Sequence, residues 1–169
     1  MIKNILLTGL PGCGKTTLIK EIIKEKKLKA GGFYTQEIRE NNQRVGFEIV
    51  TLSGKKGILA HQNFESKFKV GKYKVNLKDL EEIAVKEIEE AIKNKDYIII
   101  DEIGKIEMFS EKFKEIVLKA LESPKKVLAT IKLIDDGFTK RIKNDRETKV
   151  FYLSKENKEE IKREILLIL

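Results

Sequence analysis

Apolar residues along this chain follow three rhythms, and each predicts an element. Ile5-Leu6-Leu7, Tyr97-Ile98-Ile99-Ile100 and Lys126-Val127-Leu128-Ala129-Thr130-Ile131 are short runs with little polar interruption. Such runs predict strands covered on both faces, as in a parallel sheet. The second rhythm has helical spacing. It appears at Leu18, Ile19, Ile22 and Ile23, at Leu77, Leu80, Ile83, Ala84, Ile88, Ala91 and Ile92, and at Phe113, Ile116, Val117 and Leu121. These sets predict helices over about 14–28, 77–94 and about 109–122. The third rhythm is the alternation of Val45, Phe47 and Ile49, which predicts a half-exposed strand over 44–52.

Turn residues divide the rest. Asn41-Asn42 separates the 44–52 strand from another over 32–39, and Ser53-Gly54 precedes a short strand over 56–60. A polar stretch at His61-Gln62-Asn63 leads to an edge strand over 69–75. After the 126–131 strand come a short helix over 136–144, a strand over 149–153 and a last helix over 155–168. Strands alternating with helices predict an α/β fold, a three-layer doubly wound, mostly parallel sheet. The 32–75 stretch is an antiparallel β insertion in it. No linker or repeat divides the 169 residues, so 1–169 reads as a single domain.

Composition narrows the function classes. The chain has one cysteine and one histidine, which excludes a disulfide framework and a Cys/His zinc site. No segment has the apolar length of a membrane span, and Met1-Ile2-Lys3 runs straight into the first strand. A cytoplasmic protein is expected. The net charge is +8, but acidic and basic residues are interleaved, as in Lys155-Glu156-Asn157-Lys158-Glu159-Glu160. Interleaving favours solvated helix faces over a dedicated nucleic-acid surface.

The strongest chemical signal follows the first strand. Residues 9–16 read G-x-x-x-x-G-K-[ST], a phosphate-binding P-loop between a strand and a helix. Gly9, Gly12 and Gly14 let the backbone wrap close to a polyphosphate. The N–H groups of Leu10, Pro11-flanking residues, Cys13 and the helix start form an anion nest. Lys15 reaches the β- and γ-phosphates, and the Thr16 hydroxyl is a ligand for Mg²⁺. Thr17 follows in the first helical turn. Cys13 fills a variable loop position and is not expected to be a catalytic thiol.

Asp101 ends the buried 97–100 run. A carboxylate there, expected beside the P-loop strand, holds Mg²⁺ together with Thr16. Glu102, on the opposite side of the strand end, is placed to polarise the attacking water. The sequence Asp101-Glu102-Ile103-Gly104 matches D-x-x-G, but no N-K-x-D follows to select guanine, so poor base discrimination is expected. Lys105, Arg141 and Arg146 are candidates for transition-state charge, each more simply read as a solvated cation. Phe33 and Tyr34 either flank the nucleotide or pack in the core, and His61 is expected on an exposed loop.

These stretches together resemble a known family, the small P-loop nucleoside-triphosphatases of the thermostable and cancer-related type. The matching residues are the P-loop, Gly32-Phe33-Tyr34-Thr35, Gly46-Phe47, Val70-Gly71, Asp101-Glu102-Ile103-Gly104-Lys105-Ile106-Glu107-Met108-Phe109-Ser110 and Lys155-Glu156-Asn157. The resemblance implies Mg²⁺-dependent hydrolysis of ATP, GTP, CTP, UTP and TTP to diphosphate and phosphate, with slow turnover by a monomer. It implies nucleotide contacts from 9–17 and from Asp101, Glu102, Ile103, Gly104, Lys105, Ile106, Glu107 and Met108, with Glu102 and Lys15 catalytic. Lys132 and Lys158 stand where the family often has proline and arginine, and lysine cannot copy a bidentate arginine contact. A nucleoside or nucleotide kinase shares the loop but needs an arginine-rich lid, and this chain has five arginines in all. An ATP-driven nucleic-acid-binding module is the third reading.

Overall fold

The computed structural model describes residues 1–169. Its strands are β1 (Asn4–Thr8), β2 (Ala30–Glu40), β3 (Gln43–Thr51), β4 (Lys56–His61), β5 (Lys69–Val70), β6 (Tyr73–Val75), β7 (Tyr97–Ile103), β8 (Lys126–Ile131) and β9 (Thr148–Tyr152). They form one nine-stranded sheet in the order β5-β6-β4-β3-β2-β7-β8-β1-β9. From β2 to β9 every pairing is parallel. From β2 to β5 every pairing is antiparallel. The antiparallel insertion therefore extends the main sheet and is continuous with it.

Strand β2 makes that junction. Ala30–Phe33 pairs with β7, and Phe33 onward pairs with β3. Gly32 sits where the two regimes meet, with φ +114, and a Cβ there would stand 2.0 Å from the Ile99 carbonyl oxygen. Only glycine combines that dihedral with that approach.

Helices cover both faces of the parallel strands. Helices α1 (Lys15–Lys26) and α6 (Lys158–Ile168) place Leu18, Ile19, Ile22, Ile161 and Ile165 against Ile5, Leu7, Ile99 and Leu128. On the other face, α3 (Lys86–Asn94) and α4 (Glu111–Glu122) place Ile88, Ala91, Phe113, Ile116 and Val117 against Leu6, Ile98, Ile100 and Val127. Apolar runs without alternation are thus buried on both sides, which is the three-layer arrangement the pattern predicts. Ser110 caps α4 by accepting the Phe113 N–H, and Asp136 with Thr139 forms a capping box on α5 (Gly137–Lys143).

Several local expectations change. The 69–75 edge strand is the hairpin β5–β6, because Gly71, at φ +58, reverses the chain. The 77–94 helix is continuous but non-uniform: α2 (Leu77–Asp79) passes into a π-wound segment, Leu80–Val85, before α3. A 3₁₀ turn, Glu107–Phe109, precedes α4. The last helix starts at Lys158, since the chain before it is held in a turn by Asn157. His61 ends β4, half-buried, and accepts the Asn63 N–H at 3.0 Å, so it is a strand residue and not an exposed loop residue. Phe33 belongs to the core, edge-to-face with Phe113 at 6.1 Å between centroids.

The sheet order also corrects a neighbour relation. Strand β1 lies between β8 and β9, so the strand carrying Asp101 is not beside the P-loop strand. Strand β8 stands between them and brings Thr130 to the same rim.

Candidate active site

The loop between β1 and α1 is built for anions. Gly14 is the N-cap of α1 in a left-handed conformation (φ 95, ψ 25), and no side chain caps the helix. Its first turn carries no acidic residue. The unpaired N–H groups and the positive dipole end therefore face the loop without a protein anion to neutralise them. Lys15 Nζ donates to the carbonyls of Gly9 at 3.1 Å and Leu10 at 3.0 Å, which holds the ammonium within the loop. Cys13 Sγ lies 3.7 Å from that ammonium, and the residue packs against the α1 core, a structural place for this thiol. Leu10, Pro11, Gly12 and Thr17 are exposed at the loop and helix start.

Across the rim stands Asp101, only 2% exposed. One carboxylate oxygen accepts the Thr16 hydroxyl at 2.6 Å, and the other accepts the Thr130 hydroxyl. Burial pushes the carboxyl above its ordinary value, while the Thr130 and Thr16 hydroxyls, the Thr35 backbone and the Lys15 charge pull it back. Three elements thus meet on one carboxylate. Thr130 carried a weak sequence signal: a hydroxyl at the end of an otherwise apolar, doubly covered strand.

A bulge separates Asp101 from its neighbour. The β7–β8 register runs from Ile100↔Ala129 to Ile103↔Ile131, so β7 spends one residue more than β8 over this step. Bulges of this kind bend a strand and re-aim its side chains. Asp101 and Glu102 both lie close enough to Lys15 for its charge to act on them. In a regular strand they would point to opposite faces. Glu102 is half-buried, and burial together with the Asp101 charge raises its carboxyl above the usual range.

The turn after the bulge supports Glu102. A Cβ on Gly104 would fall 2.9 Å from Glu102 Oε1 and 3.0 Å from its Cδ. Behind the turn, Glu107 is 1% exposed and accepts the Gly104 N–H at 3.0 Å. Burial and the neighbouring Glu102 push the Glu107 carboxyl well above its ordinary value. Ile103 is in the core, and Ile106 and Met108 pack against it. Ile103 and Glu107 are buried, Ile106 and Met108 half-buried, and Lys105 is the exposed member of the segment.

The remaining cations divide. Arg146 lies beside Met1, Asp145 and Glu147, at the end of the sheet opposite the P-loop, and so falls outside the site. Arg141 is exposed on α5 and makes no ion pair. Tyr34 lies beneath Lys20 of α1, 4.0 Å from ring centroid to Nζ. Lys158 pairs with Glu21 at 2.8 Å and ties α6 to α1, a structural role.

Thr16 and Asp101 offer a hydroxyl and a carboxylate, the hard oxygen donors that suit a small divalent cation. No group of three His, Cys, Asp or Glu residues gathers to enclose a metal. That sparse donor set fits Mg²⁺, which is held by one or two protein ligands and completes its shell with phosphate and water.

The family model described as NTPase matches residues 4–166. The chain belongs to this family of nucleoside-triphosphatases. Within the family, it is 52% identical over 166 residues to nucleoside-triphosphatase THEP1 of Thermotoga maritima, covering 98% of this chain and 95% of that protein. It is 35% identical to the human cancer-related nucleoside-triphosphatase, covering 94% and 92%. The crystal structure of THEP1 from Aquifex aeolicus superposes with a TM-score of 0.88 at 40% identity, covering 98% of each chain. The family's fold is thus this fold.

Proposed function

We propose that this chain is a Mg²⁺-dependent phosphatase of nucleoside triphosphates, releasing the diphosphate and phosphate slowly and with little regard for the base. ATP, GTP, CTP, UTP and TTP are its substrates, and it acts as a cytoplasmic monomer. The observation that carries this reading is the Thr16–Asp101 bond at 2.6 Å, with Glu102 next in the chain at a strand bulge. No helix is long and apolar enough to cross a membrane.

The residues divide the work. The loop N–H groups and the α1 dipole bind the α- and β-phosphates. Lys15 leaves the Gly9 and Leu10 carbonyls for the β- and γ-oxygens and stabilises charge as it builds there. Thr16 and Asp101 would hold Mg²⁺, which when bound would neutralise phosphate charge. Glu102 accepts a hydrogen bond from the attacking water at its carboxylate and takes its proton. Its raised proton affinity suits that task. Gly104 and Glu107 keep its carboxylate on that line.

Phosphate release from each of the five nucleotides tests this, with Mg²⁺ and then with excess chelator. Release with each of them that stops on chelation is the expected result, and Lys15→Ala abolishes it. Phosphate release that appears only with RNA or DNA, or transfer to an added nucleoside monophosphate, would overturn the reading.

A further inference from the structure

The site has a direction along the sheet rim. On the proposed reading the reacting γ end faces Glu102 on β7, and the 9–16 loop springs from β1, with β8 between. A polyphosphate laid along that line sends its nucleoside end away from β7, toward β9.

What stands there is an aromatic ring without a partner. Tyr152 is the last residue of β9 and is in register with Thr8, the last residue of β1. It is 62% exposed, and Leu10 on the adjoining loop is 68% exposed. Single exposed apolar residues are ordinary. Tyr152 stands beside β1 on the side away from the strand that carries Asp101 and Glu102. Tyr34 has Lys20 over its ring and Tyr73 has Phe47 at 5.2 Å, whereas the Tyr152 ring and hydroxyl make no aromatic, cation or hydrogen-bond contact.

The backbone under Tyr152 is tightly held. The Leu153 N–H donates to the Thr8 carbonyl at 2.8 Å. The Leu153 carbonyl oxygen lies 2.6 Å from where a Cβ on Gly9 would stand, so the loop and the end of β9 are in closest approach. Asn157 then staples the turn: its Oδ1 accepts the Ser154 N–H at 2.8 Å and its Nδ2 donates to the Tyr152 carbonyl at 2.9 Å. An exposed ring on a rigid backbone loses little freedom when something stacks on it.

We infer that Tyr152 is the seat of the nucleobase. This rests on the phosphate-site reading above and deepens it. Every base has a π-face, so stacking accepts all of them. Asn157, the amide bonded to the Tyr152 backbone, spends both ends on the turn. The seat thus binds a base without selecting one.

Calorimetric titration of ADP, CDP and inorganic pyrophosphate, each with Mg²⁺, tests the seat in wild type, Tyr152→Ala and Tyr152→Phe. Base–aromatic stacking makes wild type bind ADP roughly 5- to 150-fold more tightly than pyrophosphate. Tyr152→Ala brings ADP and CDP down toward pyrophosphate and leaves pyrophosphate within about twofold, and Tyr152→Phe keeps the difference. Unchanged ADP affinity in Tyr152→Ala overturns the seat. So does an equal loss for pyrophosphate, which would mark Tyr152 as a support of the loop. Wild type that binds neither ligand overturns the phosphate site itself, and the seat with it.

Discussion

Thr16 and Asp101 stand 85 residues apart in the chain, and a 2.6 Å hydrogen bond joins their side chains at one rim of the sheet. Thr16 belongs to the helix that follows β1, and Asp101 to a strand separated from β1 by β8. The bond closes that gap and aligns two oxygen donors before any ligand arrives.

Glu102→Ala should lower turnover by about 10²- to 10⁴-fold, the usual worth of a positioned general base. Nucleotide affinity should stay within a few-fold, because the loop and Lys15 are untouched. Phosphate-release kinetics alongside a binding titration separates the two, and an unchanged rate removes Glu102 from the mechanism.

Gly104→Ala tests how closely that carboxylate is placed. Gly104 has no left-handed φ, so alanine adds no backbone strain, yet its Cβ would lie 2.9 Å from Glu102 Oε1. The Glu102 side chain must swing away. Turnover should fall roughly 10- to 100-fold, as expected for a misplaced catalytic group. The melting temperature should move by no more than about 3 °C. A large melting shift with a normal rate would show that Gly104 serves the fold alone.

The buried Glu107 makes stability depend on pH. Its proton affinity is raised in the folded chain, so above the ordinary carboxyl value the folded state holds a proton that the unfolded state has lost. Stability therefore falls as pH rises from about 4.5 toward the folded value. Glu107→Gln keeps an oxygen for the Gly104 N–H and removes the titration. Melting curves across pH should show the variant gaining on wild type as pH rises, with the two converging near pH 4. Parallel curves would mean that Glu107 ionises in the fold without penalty.

Gly32→Ala should damage the whole sheet. The new Cβ meets the Ile99 carbonyl at 2.0 Å with φ at +114, which combines overpacking with a forbidden dihedral. A loss of about 3 kcal/mol or more is expected in chemical denaturation. A loss below about 1 kcal/mol would show that β2 and β7 can part without consequence.

Much of the parallel half was legible before any coordinates. Ile5-Leu6-Leu7 and Ile98-Ile99-Ile100 read as buried strands because each lies under helices on both faces, and burial of that kind leaves an uninterrupted apolar run. The π-wound Leu80–Val85 was not legible, since its apolar spacing is compatible with an ordinary helix. The 69–75 stretch read as one strand because Val70, Tyr73 and Val75 are all strand formers; the turn rests on the single Gly71.

By itself the sequence determined the glycine-rich strand–loop–helix unit, because its physics is local. Glycine dihedrals, a helix N-terminus, a lysine and a hydroxyl act within eight consecutive residues, 9–16, whatever the rest of the chain does. Only the tertiary structure decided that β8 stands between β1 and β7, and that Thr130 therefore joins Asp101. It alone set the bulge that re-aims Glu102, the Glu107 hydrogen bond behind it and the bare face of Tyr152 beside Thr8. Strand order and register depend on which distant segments pair, and hydrophobic periodicity records burial without recording the partner.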